Sequence, residues 1–303
     1  MGMYAVKKNL QPVIRGKRIL ILTRSAPMDY FTGKTVYITG GSSGIGLATA
    51  RELSGRGAHM VLIARDAAKL DMALRELKAR TGSPGQKIAT VSADVADTAR
   101  IAEIMEKAAR DHGIPDILIN GAGAGHFGTF EETDPATVRR IFDVNVIGLQ
   151  CVSRALIPLM KKKGGGIIVN VSSLAGLIGM YGYSAYGGSK YAVVGMSEAM
   201  RAELRESNIR VQLLCPPEID TPMVREERKS ITPEGLALKK MAGQLTADVA
   251  ARALLRGIRR GSFIIIPGFM ARTTYRLSRH FPRFSRMVSD LVVKMNRGKT
   301  KAA

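Results

Sequence analysis

Short apolar runs alternate with longer amphipathic segments along most of the chain. The runs are rich in Val, Ile and Leu and have no polar face, which is typical of strands buried on both sides in a parallel sheet. The segments between them place apolar residues at helical spacing. This alternation predicts an α/β fold, a single doubly wound Rossmann-type domain with a seven-stranded, mostly parallel sheet. The predicted strands cover residues 34–39, 59–64, 87–92, 117–119, 166–172, 210–215 and 263–266.

The pattern changes at both ends of this domain, which we place at residues 33–266. Residues 1–32 form a basic arm, and its apolar run at 19–22 is far shorter than the roughly 20 residues that span a bilayer. No small-residue cleavage site follows, so we expect no signal peptide, and Met28 is an alternative start of the natural protein. Residues 267–303 form a tail, in which apolar residues return at helical spacing: Phe284, Met287, Val288, Leu291, Val292 and Met295.

Composition adds a chemical constraint to this outline. The 303 residues are 46% hydrophobic and 23% charged, as expected for one large globular domain. The two cysteines, Cys151 and Cys215, stand in unrelated contexts, and the four histidines are scattered without ligand spacing. We therefore expect no structural disulfide and no metal site, and the reducing cytoplasm is the expected compartment.

The net charge is concentrated at the ends of the chain. Residues 1–34 and 252–303 supply 18 of the 21 net positive charges, whereas residues 35–251 carry 26 basic and 23 acidic side chains. Basic ends on a balanced domain predict contact with an anionic surface, either membrane phospholipid or nucleic acid. Simple solvation of the charges is the alternative. Because only 5% of the residues are aromatic and no helix-turn-helix is recognisable, we do not expect nucleic acid.

The tail allows more than one interpretation. An apolar stripe beside a series of arginines is typical of a helix in a membrane interface. Since no run of about 18 apolar residues occurs, it predicts peripheral association with the cytoplasmic face of a membrane. The same stripe suits packing on the domain itself, or across the interface of a homo-oligomer, which we also expect. The arginines are Arg272, Arg276, Arg279, Arg283 and Arg286.

A glycine-rich turn, GGSSGIG at 40–46, joins the first predicted strand to the first helix. Glycines there let the backbone approach a pyrophosphate, which the positive end of the helix attracts. The second strand ends at Arg65, where an acid would bind the ribose 2′-hydroxyl of NAD, and a guanidinium suits the 2′-phosphate of NADP instead. The adjacent Asp66 is placed to cap the next helix, and Ser42 and Ser43 offer further donors. The pattern predicts NADPH as the cofactor.

A second cluster of reactive side chains lies in residues 173–190. Tyr186 and Lys190 are four residues apart at the start of a long predicted helix, so both lie on one face. We expect the ammonium to lower the pKa of the phenol from about 10 toward working pH, which suits proton transfer to a ketone oxygen. Ser173 follows the fifth strand and is placed to hydrogen-bond the same oxygen. A Tyr and a Lys at this spacing are common on solvated helices, and the glycine-rich turn upstream favours the catalytic interpretation.

The two motifs together resemble the short-chain dehydrogenase/reductase family, whose TGxxxGIG turn and Ser, Tyr and Lys spacing this chain repeats. The resemblance implies that Ser173, Tyr186 and Lys190 are catalytic and that Lys190 also binds the ribose. It implies that Asn145, in the middle of a helix, holds a water for proton transfer. The cofactor contacts taken together are Gly40, Ser42, Ser43, Gly44, Ile45, Gly46, Arg65, Asp94, Val95, Asn120, Ala122, Gly123, Tyr186, Lys190, Pro216, Ile219 and Thr221.

The segment after the sixth strand carries markers that are more specific than those of the whole family. Residues 222–245 stand where the family keeps a mobile substrate lid, and Pro217 stands where most members have glycine. Over about residues 33–266, the markers GGSSGIG, IAR and PPxxDTP resemble the 3-ketodihydrosphingosine reductases. The resemblance implies reduction of a long-chain amino ketone with NADPH, in sphingolipid synthesis. The alternatives are a short-chain enzyme for a steroid, acyl or other apolar alcohol or ketone, and a non-catalytic NADPH-binding sensor.

Overall fold

The structure is a computed structural model that describes residues 13–15, 18–20 and 29–298. Within the predicted basic arm, Val13–Arg15 and Arg18–Leu20 pair as a short antiparallel hairpin. The rest of the arm up to residue 28, and the end of the tail from residue 299, lie outside the described residues. The arm as a separate segment therefore stays a prediction.

Seven strands form the central sheet, and every neighbouring pair in it is parallel. The predicted doubly wound α/β fold is thereby confirmed. The order across the sheet is β7-β6-β5-β4-β1-β2-β3, so the chain builds outward from β1 in one direction and from β4 in the other. A doubly wound sheet binds its ligand in the crevice at this switch point. The strands are β1 (Thr35–Thr39), β2 (His59–Ala64), β3 (Ile88–Ser92), β4 (Ile117–Asn120), β5 (Gly166–Val171), β6 (Ile209–Leu214) and β7 (Ile264–Ile265).

Helices cover both faces of the sheet because alternate strand residues point to opposite sides. Val36 and Ile38 of β1 face one apolar cluster, which α1, α2 and α9 complete, and Tyr37 faces the other, with α3 and α5. The helices among the described residues are α1 (Gly44–Ser54), α2 (Ala67–Lys78), α3 (Ile101–His112), α4 (Pro135–Phe142), α5 (Leu149–Lys163), α6 (Ser184–Glu203), α7 (Pro222–Glu227), α8 (Pro233–Ala242), α9 (Ala247–Arg260), α10 (Phe269–His280) and α11 (Pro282–Asn296).

A buried polar network crosses the middle of the sheet. Asn120 at the end of β4 lies directly opposite Asn170 in β5. The Asn120 amide donates to Ser153 Oγ and to Asn170 Oδ1, both at 2.9 Å, and the Asn170 amide donates to Ser197 Oγ at 2.9 Å. Since Ser153 belongs to α5 and Ser197 to α6, the network ties two strands to two helices. Helix α6 carries Tyr186, so the network also fixes the position of the predicted catalytic helix.

Helices α4 and α5 join into one long helix through a π-helical turn at Asp143–Gly148. By length and composition, Pro135–Lys163 is the one helix in the described part of the chain that is apolar enough to cross a membrane. Its residues Val152, Leu156 and Met160 are fully buried in the core, against the sheet and α3. A π-helical turn is frequently found at functional sites, and this one contains Asn145.

The segment after β6 and the tail pack on each other. The predicted lid consists of α7 and α8, and a parallel pair of short strands, Glu218–Asp220 and Gln244–Thr246, brackets it. The tail contains the predicted helix, α11, and also α10, which the apolar stripe did not predict. Both tail helices pack against α8. Ala271 of α10 is buried in a small cluster with Leu174 and Ala242.

The opposite side of the tail is apolar and solvent-exposed. We call it the tail face, and it contains Phe269, Met270, Leu277, Phe281, Phe284, Met287, Leu291 and Met295. Such a group of large apolar side chains in one region marks an interaction surface. The arginines of the tail flank it. The tail therefore packs on its own domain and exposes four residues of the predicted stripe, Phe284, Met287, Leu291 and Met295, whereas Val288 and Val292 are partly buried.

Candidate active site

A cavity of about 210 Å³ lies at the carboxyl edge of the sheet, covered by α7 and α8. It joins the two clusters that the sequence predicted separately, because residues of the glycine-rich turn and of the catalytic set line the same space. The predicted residues that line it are Gly40, Ser43, Gly44, Ile45, Gly46, Gly123, Ser173, Tyr186, Lys190, Pro216, Ile219 and Thr221. Those outside its lining are Ser42, Arg65, Asp94, Val95, Asn120, Ala122 and Asn145.

The glycine-rich turn has no room for side chains. Gly40 has a φ of +71° and Gly44 a φ of +53°, a region that favours glycine. A Cβ on Gly40 would stand 2.7 Å from the Gly121 carbonyl oxygen, and one on Gly46 would stand 2.3 Å from the Gly40 carbonyl oxygen. Helix α1 begins inside the motif, and the side chain of its N-cap residue, Ser43, caps none of the N–H groups. The close-packed turn and the free helix start fit a pyrophosphate.

Arg65 directly follows β2 and lies outside the lining of the cavity. Its side chain is 72% exposed, and its guanidinium lies 3.6 Å from the Asp94 carboxylate. The prediction for Asp66 is confirmed, since its carboxylate accepts a hydrogen bond from the Lys69 N–H at the start of α2. This bond holds the pKa of Asp66 below its usual value. Asp66 is thus occupied with the helix, and Arg65 is the side chain available to a group at the end of β2.

Tyr186 and Ser173 face each other in the cavity. Tyr186 lies in the first turn of α6, and Ser173 lies two residues after the end of β5 and starts a short turn. The Ser173 hydroxyl lies close enough to the phenol to lower its pKa. The predicted lowering of the Tyr186 pKa is wrong in this structure, because burial raises it to about 12, against the opposing effect of Ser173. Tyr186 is therefore held as a neutral phenol, the form that donates a proton.

Lys190 lies one helical turn beyond Tyr186 and is buried. Its ammonium lies 5.7 Å from the centre of the Tyr186 ring and donates a hydrogen bond to the Val171 carbonyl oxygen at 3.0 Å. A Cβ added to Gly123 would stand 3.6 Å from the same nitrogen. Burial lowers the pKa of Lys190 to about 8. A charge so weakly solvated responds strongly to any negative charge that forms beside it.

Asn145 is held in the π-helical turn just behind this pair. Its side-chain oxygen accepts from the Ala124 N–H at 2.7 Å, and its amide donates to the Ala124 carbonyl oxygen and to Ser189 Oγ, both at 2.9 Å. These bonds tie the loop after β4 to helix α6. The side chain uses both of its donors on the protein, so the role of Asn145 in holding a water stays a prediction.

Two predicted cofactor residues lie in the core. Asn120 belongs to the polar network of the sheet, and its Oδ1 is buried without a hydrogen bond from the described residues. Val95 is buried against Gly148, where a Cβ would stand 2.8 Å from its methyl group. Their contribution to nucleotide binding stays a prediction.

The sequence did not single out four charged or polar residues that line the cavity: Tyr183, Glu218, Glu227 and Lys239. The Tyr183 hydroxyl and the Lys239 ammonium both donate hydrogen bonds to Glu227 Oε1. The Lys239 ammonium also lies 2.9 Å from Glu218 Oε2. The acidic residues of the lid were the available signal, but nothing in their spacing shows which of them turn inward.

Comparison with known proteins gives a family and a set of relatives. Residues 34–232 match the short chain dehydrogenase family. The chain is similar to 3-dehydrosphinganine reductase of Danio rerio, with 36% identity over 232 residues, which cover 76% of this chain and 70% of the relative. It is similar to a 3-dehydrosphinganine reductase of Arabidopsis thaliana, with 36% identity over 238 residues, which cover 78% of this chain and 70% of the relative.

Solved structures agree with this relationship. A short-chain dehydrogenase/reductase from Burkholderia phymatum in complex with NAD has a TM-score of 0.74 and 28% identity, over 85% of this chain and 96% of the other. L-sorbose reductase from Gluconobacter frateurii, complexed with NADPH and L-sorbose, has a TM-score of 0.70 and 28% identity, over 80% of this chain and 97% of the other.

Proposed function

Because this chain belongs to the short-chain dehydrogenase family, we propose that it is an NADPH-dependent reductase of a long-chain amino ketone of the 3-dehydrosphinganine type. The observation that carries the reaction class is that Ser173, Tyr186 and the buried Lys190 line one cavity with the glycine-rich turn. The substrate class rests on the relatives that are named 3-dehydrosphinganine reductases. The apolar wall of the cavity suits an alkyl chain, with Leu174, Met180 and Met223 among its residues.

The residues fit a nicotinamide nucleotide, since the Gly40–Gly46 turn packs too closely for side chains at Gly40 and Gly46 and α1 offers free N–H groups. NADPH, when bound, supplies the hydride for the carbonyl carbon. Ser173 holds the ketone oxygen, and the neutral Tyr186 phenol donates the proton to it. The Lys190 ammonium stabilises the phenolate that remains, and Asn145 positions the water that returns a proton.

A substrate panel tests this function. Purified full-length protein is mixed with NADPH and either 3-dehydrosphinganine, a steroid ketone or a β-ketoacyl thioester, and the decay of NADPH fluorescence is followed. We expect the highest kcat/KM with the long-chain amino ketone. A preference for the steroid or the thioester would overturn the substrate class but keep the reductase, and binding of NADPH without turnover of any ketone would favour a sensor.

Cofactor preference provides the first prediction. We expect NADPH to bind more tightly than NADH by about ten- to a hundredfold, since a guanidinium–phosphate contact contributes roughly 1.5–3 kcal/mol. Arg65→Ala should bring the two dissociation constants, measured by fluorescence titration, close together. Arg75→Ala, which removes another exposed arginine from α2, is the control and should keep the preference. A wild-type preference for NADH would contradict the role of Arg65.

We further propose that the enzyme is cytoplasmic and associates with an anionic membrane surface through the tail face, and that it forms a homo-oligomer. The exposed apolar residues and the flanking arginines supply the two signals that interfacial binding needs. Each Arg near such a surface adds about 1 kcal/mol. Because α10 and α11 pack on α8, the tail face and the lid lie on neighbouring elements. A substrate with a long alkyl chain would then be taken from the membrane next to the lid.

Liposome binding tests the role of the tail face. We expect the full chain to co-sediment with anionic liposomes at low salt and to be released at high salt, because salt screens the charges over roughly 10 Å. Replacement of Phe284, Met287 and Leu291 by Gln should abolish binding without loss of turnover of a short, soluble ketone. In the control variant, Met72 and Phe130 are replaced, which are exposed apolar residues elsewhere on the surface. This variant should bind the liposomes as wild type does. Equal binding by both variants would contradict the proposal.

A further inference from the structure

A buried charged network lies under the lid, outside the predicted catalytic set. Glu227, at the end of α7, accepts hydrogen bonds from Tyr183 and from Lys239 through the same oxygen, Oε1. The side chains of Glu218, Glu227 and Lys239 are 5%, 7% and 11% exposed. Arg228, which is more exposed, pairs with Glu218 from the outer side. Charged groups are rarely buried to this extent without a function or a partner.

The second oxygen of Glu227, Oε2, takes no part in these two hydrogen bonds, which both end on Oε1. Gly125 lies beside it, where an added Cβ would stand 3.4 Å from Oε2 and 3.2 Å from the Met223 sulfur. Glycine at 125 avoids a tight contact with both groups, so Met223 and the carboxylate lie side by side.

This carboxylate lies close to the reacting atoms. The Tyr183 ring packs edge-on against the Tyr186 ring, with 6.0 Å between the ring centres. The Tyr183 hydroxyl binds Glu227, so the carboxylate is connected to the proton donor through one aromatic contact. The Glu227 charge also contributes to the raised pKa of Tyr186, as expected for a nearby anion. A ketone whose oxygen lies on Tyr186 and Ser173 would place its neighbouring carbon substituent near Glu227.

The network contains two carboxylates, one buried ammonium and the more exposed Arg228 guanidinium. Glu218 and Glu227 are two carboxylates, and Lys239 is the one ammonium that lies between them. Glu218 Oε2 is buried and accepts no properly directed hydrogen bond, although the Lys239 nitrogen lies 2.9 Å away. Because Arg228 pairs with Glu218 from the outer, more exposed side, an ammonium in the cavity would meet a buried carboxylate oxygen with bonding capacity to spare.

We propose that Glu227 is the residue that recognises the ammonium group of the substrate, next to the ketone that is reduced. This inference rests on the proposed function and adds the specificity determinant of the same site. The ketone oxygen binds to Tyr186 and Ser173, the ammonium on the adjacent carbon binds to Glu227 Oε2, and the alkyl chain lies along the apolar wall. The pair of contacts selects a 2-amino ketone over a ketone of equal length without the amine.

The experiment compares two substrates of one chain length, a 2-amino-3-ketone and the same 3-ketone without the amine, with full-length enzyme and NADPH. We expect wild type to prefer the amino ketone by about ten- to a hundredfold in kcat/KM, as for a charge-assisted contact. Glu227→Gln should remove most of this preference. Glu226→Gln is the matched control, since it makes the same change on the same helix at a side chain that is 73% exposed, and it should keep the preference.

Two more variants separate recognition from support of the lid. Tyr183→Phe removes a donor to Glu227 but leaves the carboxylate, so the preference should persist. Glu227→Asp keeps the charge and should retain part of the preference for the amino ketone. If Glu227→Gln lowered kcat/KM equally for both substrates, with NADPH affinity unchanged, the residue would have a structural role and the inference would be overturned. If the wild-type enzyme reduced both ketones equally, the role of Glu227 would be overturned and carbonyl reduction would stand. If it reduced neither ketone, the proposed function would be overturned as well.

Discussion

Replacement of Tyr186 by Phe is expected to lower kcat by about a hundred- to ten-thousandfold, the range found when a general acid is removed. The reason is that the phenol lies in the cavity beside Ser173 and that burial raises its pKa to about 12, which keeps it in the form that donates a proton to the ketone oxygen. Phe keeps the ring contact with Tyr183 and removes only the hydroxyl. The dissociation constant of NADPH, measured by fluorescence, should change by no more than about a few-fold, because other residues form the nucleotide cradle.

The control for this variant is Tyr191→Phe. Tyr191 lies on the same helix, is 45% exposed and does not line the cavity, so turnover should remain near wild type. If Tyr186→Phe lost NADPH affinity and turnover together, Tyr186 would be a structural residue. If it kept turnover, the proton would come from another group.

Lys190→Met is the second variant with a large expected effect. It keeps the length of the buried side chain and removes its charge, so the phenolate loses its stabilising partner and kcat should fall by about a hundred- to a thousandfold. Affinity for NADPH should fall as well, by roughly tenfold or more, if the ammonium also binds the ribose. This joint loss distinguishes Lys190 from Tyr186.

The pH dependence provides an independent measurement of the same role. Burial lowers the pKa of Lys190 to about 8, so the charged form is present below that pH and is lost above it. In wild type, kcat/KM for a ketone without an amine should therefore decrease as the pH rises through about 8. In Lys190→Met this decrease should disappear. A wild-type profile that stays flat to pH 10 would contradict the assignment.

Much of the fold and of the reaction site could be predicted because short patterns determine both. Apolar runs identified all seven strands, and the glycine-rich turn requires its residues for the steric reasons seen at Gly40 and Gly46. The spacing of Tyr186 and Lys190 sets their common helical face whatever surrounds them. Asp66 was placed as an N-cap from its position alone, and the structure confirms it.

The remaining features depend on contacts between distant segments. Burial under the lid raises the pKa of Tyr186. The prediction of a lowered pKa considered the charge of Lys190 and not the cost of burying a phenolate. Glu227 and its neighbour Glu226 are the same residue type and differ only in the direction that each side chain takes from α7. Helix α10 was missed because its apolar side chains are few, and it is held by contacts with Leu174 and Ala242.

The asparagine–serine network in the middle of the sheet has a consequence for how the chain reaches its native state. Asn120 and Asn170 meet only when β4 and β5 pair in one alignment. A compact state displaced by one residue would bury amides without partners, at a cost of about 1–3 kcal/mol for each group. The network therefore acts mainly against competing arrangements, by widening the energy gap that separates them from the native one. A misaligned pair of strands is thereby disfavoured against the one arrangement that brings Tyr186 and the glycine-rich turn together.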